Sequence, residues 1–168
     1  MGRAVKALVA LVVAGMLVLS GCAGQNPNHA ATIDGVVVPV SEAEAIFEVL
    51  KPYLQAPATE AKAVSVLVST RVGAQVAARQ GLEFTPEERE AATASVLPPD
   101  LAADPNAAAF NADYVTTALV SQQLGQEAFV QAAAEVDVLV NPRFGSWDPS
   151  LVAVVPGTGS LSSPAPAS

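Results

Sequence analysis

One cysteine, one histidine and one tryptophan are all that the 168 residues hold of those types. With Cys22 alone, no internal disulfide and no thiolate metal cluster can form. His29 alone leaves no H-E-x-x-H pair and no second imidazole for a metal site, so no bound metal is expected. Neither a G-x-x-x-x-G-K-[ST] loop nor a G-x-G-x-x-G turn occurs, and no cofactor is expected. Charge is scarce as well, 14% of residues, and the eight basic residues face sixteen acids. Phosphate backbones and anionic lipid heads are repelled by such a surface, which excludes nucleic acid as a partner. Eight aromatic residues leave Val, Leu and Ala to build the core, a small one of modest stability.

What is present begins with Arg3 and Lys6, then an unbroken stretch of Ala, Val, Leu, Gly and Met from Ala7 to Leu19. A basic start, a short apolar run and small residues beyond it make residues 1–21 a secretory signal peptide. The run is too short for a bilayer span, which takes about 20 residues. Leu19-Ser20-Gly21-Cys22 resembles the bacterial lipobox, whose cysteine is lipidated and becomes the first residue after cleavage. That resemblance implies lipidation at Cys22 and a chain anchored on the extracytoplasmic face of the cell membrane without spanning it. Losing residues 1–21 removes two bases and no acids, leaving a net charge near −10. Residues 22–31 read as the lipidated cysteine and a tether containing His29, residues 32–155 as one domain, and residues 156–168 as a disordered tail.

Within the domain, β-branched residues flank Asp34-Gly35, the pair suited to a type I′ hairpin turn. Ser41-Glu42-Ala43-Glu44 fits a capping box and predicts a helix from Glu42 to about Leu54, where Pro52 and Pro57 end it. Thr59 caps a second helix, Glu60 to Gln80, closed by Gly81. Thr85-Pro86-Glu87-Glu88 opens a third helix, which stops before Pro98-Pro99. One long last helix starts near Asp104-Pro105. A strand over residues 137–140 returns beside the hairpin, and residues 151–155 are extended. The expected fold is α+β and mainly helical: a four-helix body clasped by a small antiparallel sheet of the N-terminal hairpin and a C-terminal strand. No internal repeat is evident.

Three stretches carry a resemblance. Ile33-Asp34-Gly35-Val36-Val37-Val38-Pro39 is similar to the V-N-G-x-x-I-T opening of the N-terminal domains of SurA, PrsA and trigger-factor chaperones. Gly81-Leu82-Glu83-Phe84-Thr85-Pro86-Glu87-Glu88 resembles the junction before that family's third helix. Asn141 to Asp148, NPRFGSWD, resembles the ending of secreted actinobacterial lipoproteins with this domain. The resemblance covers most of residues 32–155 and implies a chaperone module. The parvulin isomerase domain of SurA and PrsA has no counterpart, since the loop from Pro98 to Asn106 occupies its place. No isomerase activity is implied.

No catalytic constellation assembles. Glu87, Glu88 and Glu90 crowd a helix start, where the helix dipole favours acids, and Glu44 and Glu48 share a helix face; both sets read as solvated or capping acids. The leading expectation is therefore a non-enzymatic holdase for unfolded or secreted clients, with an apolar groove between helices that uses Val68, Val72 and Tyr114. The alternative is an adaptor that docks one folded envelope protein through Arg143, Phe144 and Trp147. The segment around those three reads first as a structural clasp, with Arg143 paired to Asp148 or Asp34. Trp and Arg also dominate binding hot spots, which keeps a ligand site open there.

Overall fold

A computed structural model of the chain describes residues 26–157. Cys22 and the tail from residue 158 lie outside the described residues. Strand β1, His29–Ile33, turns through Asp34 and Gly35 into β2, Val36–Pro39. Both turn residues have positive φ, 49° and 79°, as a type I′ turn requires. Strand β3, Val138–Val140, pairs antiparallel with β1, giving the order β2-β1-β3. The row Val38, Ala31 and Val140 faces the core, each no more than 6% exposed. The expected clasp of hairpin and returning strand is thus the observed one. β1 begins at His29, inside the stretch read as tether. The His29 carbonyl accepts a hydrogen bond from Asn141 Nδ2 at 3.0 Å.

Six helices are described: α1 Val40–Leu50, α2 Glu60–Gln80, α3 Pro86–Val96, α4 Pro99–Ala102, α5 Ala108–Leu124 and α6 Gln126–Ala134. The caps of α2 and α3 form as their sequences predict. Thr59 Oγ1 accepts from Lys62 N, and Gly81 closes α2 at φ 63°. Thr85 and Glu88 exchange side-chain and backbone hydrogen bonds in a full capping box.

The capping box expected at Ser41 does not form. α1 starts at Val40 straight from β2, with Pro39 at its cap and no side-chain bond there. Val40 N donates instead to Asn28 O at 2.8 Å. A first-turn N–H that backbone already satisfies needs no side-chain cap. α1 also stops at Leu50, short of Leu54, ahead of Pro52 and its missing N–H. The long last helix is two helices, split at Gly125 (φ 78°, ψ 159°), a conformation that interrupts the hydrogen-bond ladder.

α2 is the spine. Val64, Leu67, Val68, Val72 and Val76 are all 1% exposed or less. Burying side chains of this size stabilises the fold by roughly 1.5–3 kcal/mol each. Gly73 lets α5 approach closely, because a Cβ there would lie 2.6 Å from Thr117 Cβ. The residues read as extended over 151–155 belong to a second sheet: β4, Ser146–Asp148, pairs antiparallel with β5, Ala153–Val155. Ser65 and Ser69 fix this hairpin to α2. Ser69 Oγ donates to Val152 O at 2.6 Å, and Ser65 Oγ accepts from Val154 N at 3.0 Å.

Candidate functional site

The segment from Asn141 to Gly145 leaves β3 and turns beneath the second hairpin. Asn141 anchors it: its N–H donates to Ala30 O at 2.9 Å, its Oδ1 accepts from Arg143 N at 3.2 Å, and its carbonyl accepts from Phe144 N at 2.9 Å. Phe144 is driven into the core, 6% exposed. Gly145 adopts φ 133°, and a Cβ there would lie 2.9 Å from Val154 Cγ1 and strike the Val155 carbonyl. Trp147 then lies on β4, half-buried against the core. Phe144 is therefore a core residue, packed with the helices and the first sheet.

The same turn also forms one wall of an open groove of about 1190 Å³. Its sides are the β3 residues 138–140, Leu54 and Gln55 after α1, the first turns of α2 with Lys62, Ser65 and Val66, and the β4–β5 hairpin with Trp147 and Val154. Trp147 Nε1 is buried and has no hydrogen-bond partner among the described residues. Lys62 Nζ donates to the carbonyls of Gln55 and Pro57, both at 2.8 Å, which holds the loop before α2 against the groove.

Arg143 stacks on Phe144, its guanidinium carbon 4.3 Å from the ring centroid. Its acid neighbour is Glu60, at 3.8 Å, rather than Asp148 or Asp34. The reason is prior engagement. Asp34 is held by Arg79. Asp148 Oδ1 accepts from both the N–H and the hydroxyl of Ser150, and these bonds hold the Asp148 carboxyl below its ordinary range.

Of the six residues singled out as contacts, three meet at this groove: Arg143, Phe144 and Trp147. Val68 and Val72 cannot serve, being 0% exposed in the core. Tyr114 lies apart on α5, half-buried with its ring 5.7 Å from that of Phe110. Val64, Val68, Val72 and Val76 of α2 all face the core, and Val66 is the α2 valine that lines the groove. A smaller cleft of about 750 Å³ lies between α3 and α5, lined by Phe84, Glu88, Leu119 and Gln122 among others.

The residues missed from sequence are Lys62, Ser65 and Leu54, with Leu139 of β3, 54% exposed. Ser65 and Ser69, four apart on one side of α2 in and beside the largely apolar residues 63–68, are the signal that marks something docking there.

A charged cluster sits elsewhere, where Arg71 bridges Glu42 at 2.6 Å and Asp113 at 2.8 Å. Burial pushes the Asp113 carboxyl above its ordinary range, against the pull of Arg71 and with Glu42 adding to the rise. Among the described residues no group of three His, Cys, Asp or Glu side chains could hold a metal, and no helix is long and apolar enough to cross a membrane. No protein-family model matches the sequence, and neither a curated protein nor a solved structure matches it significantly.

Proposed function

We propose that this protein is a membrane-anchored, extracytoplasmic lipoprotein without catalytic activity, which docks a segment of one envelope protein in the groove at Trp147. The observation that carries this reading is the distribution of apolar surface. Val64, Val68, Val72 and Val76 of α2 are spent on the core, while aromatic, aliphatic and cationic side chains converge at one place beside β4. An Arg stacked on an aromatic ring, next to a tryptophan, is the composition of an interface hot spot. The Leu-Ser-Gly-Cys motif supports the anchor. The resemblance of residues 33–39, 81–88 and 141–148 to SurA-type modules points the same way.

Two measurements test it. Feeding cells an alkyne-bearing fatty acid should label the wild-type protein and not Cys22→Ser. Diluting an unfolded secreted protein into the mature chain should leave its aggregation, read by light scattering, unchanged near stoichiometric ratios. Clear suppression there would favour a general holdase over a dedicated docking protein.

A further inference from the structure

The mature chain has six basic side chains, and four of them lie away from the groove. Lys51 lies 3.9 Å from Glu48, Arg71 bridges Glu42 and Asp113, and Arg79 holds Asp34. Arg89 donates to Thr116 Oγ1 and to Phe84 O, both neutral acceptors, and makes no ion pair among the described residues. The remaining two, Lys62 and Arg143, both line the groove. Lys62 bonds only to backbone carbonyls and has no carboxylate within ion-pair distance among the described residues. Arg143 has one loose partner, Glu60 at 3.8 Å, and both side chains of that pair are about half exposed. An exposed pair of this kind contributes little and exchanges readily for a better one. In a strongly acidic protein the groove therefore brings two cationic side chains together with one loose carboxylate partner between them.

We infer that the groove's occupant is an extended aliphatic peptide segment carrying a carboxylate, which Lys62 and Arg143 recognise. This rests on the docking reading above and names the chemistry of the partner. The apolar walls, Val66, Leu139 and Trp147, suit aliphatic side chains. Hydroxyl and amide groups spaced along the groove, at Gln55, Thr59 and Ser146, match a peptide backbone. A planar guanidinium backed by an aromatic ring suits a carboxylate. The same two cations disfavour basic partners, which gives selectivity.

Trp147 is the sole tryptophan and lines the groove, so its emission reports binding. The mature chain with Cys22→Ser is titrated with a short peptide of alternating leucine and serine ending in aspartate, with a free carboxyl terminus. Its neutral twin ends in an asparagine amide. The same peptides labelled with fluorescein give a second readout by anisotropy. The acidic peptide should bind saturably and about tenfold more tightly than its twin, with a preference that shrinks as salt rises. Lys62→Gln with Arg143→Gln should abolish that preference while circular dichroism shows the fold intact.

Equal binding of the twins would overturn carboxylate recognition and leave docking standing. No binding of either would overturn both. Decanoate binding as tightly as the acidic peptide would make this a site for small amphiphiles instead. Equal competition by a synthetic copy of residues 158–168 would make the occupant the chain's own tail.

Discussion

The guanidinium of Arg79 meets the carboxylate of Asp34 side-on, Nε to Oδ2 at 2.9 Å and Nη2 to Oδ1 at 2.6 Å. Asp34 Oδ1 also accepts from Asp137 N at 3.0 Å, and Arg79 Nη1 donates to Glu135 O at 2.7 Å. One ion pair thereby ties the hairpin turn to the end of α2 and to the approach to β3. Asp34→Ala should lower stability by about 2 kcal/mol, since it removes charged hydrogen bonds and places alanine at a positive φ. Arg79→Ala should cost less, about 1 kcal/mol, because Asp34 keeps its bond from Asp137. Urea unfolding of both variants and the double mutant checks the order and measures their coupling.

Gly73 and Thr117 mark a close approach of α2 and α5. Any Cβ at residue 73 meets the Thr117 side chain, and both helices are held by their neighbours. Gly73→Ala should destabilise by about 1–3 kcal/mol through overpacking, despite the better helix propensity of alanine. A melting temperature at or above wild type would contradict the close crossing.

The β4–β5 hairpin depends on two hydroxyls, because a two-stranded sheet is marginal alone. Ser65→Ala leaves Val154 N–H without its acceptor and should cost about 1–2 kcal/mol; Ser69→Ala should cost about 1 kcal/mol. Hydrogen exchange should quicken over residues 146–155 in both variants while the amides of α2 stay protected. Uniform loss of protection would mean that the hairpin is no separable unit.

The pH dependence carries a sign set by Asp113. Its folded pKa is raised, so its ionisation weighs against the fold wherever the pH exceeds that folded value. The penalty is relieved as pH falls through the folded pKa and is gone below the ordinary carboxylate value. Asp148 acts oppositely. Its folded pKa is lowered, so its contribution holds above the ordinary value and is lost as pH falls through the folded one. Relative to Asp113→Asn, wild-type stability should therefore improve between neutral pH and about pH 4. A constant difference would contradict the burial of that carboxylate.

Most helix boundaries were legible because they are local events. Thr59, Gly81 and the Thr85–Glu88 box act within a turn, and Asp34-Gly35 dictates its own hairpin. What was not legible depended on distant partners. Ser41 looks like a cap, yet the Asn28 carbonyl already satisfies the N–H of Val40. Gly125 breaks a helix that an apolar pattern runs straight through. Val68 and Val72 are buried rather than groove-lining, for a physical reason present in the sequence. Ala63, Thr70, Gly73 and Ala77 of the same helix are buried too, and a helix buried nearly all round is a core element rather than a docking face. Phe144 and Trp147 were legible as a pair. Lys62, some eighty residues earlier, reaches their groove through the fold alone.

The most direct test of the docking claim is photo-cross-linking in intact cells from a benzophenone side chain at Ser146, exposed on the groove, against one at Glu127, exposed outside it. One discrete adduct is expected from residue 146, lost with Trp147→Ala and absent from residue 127. A ladder of many adducts, or the same pattern from both positions, would contradict it.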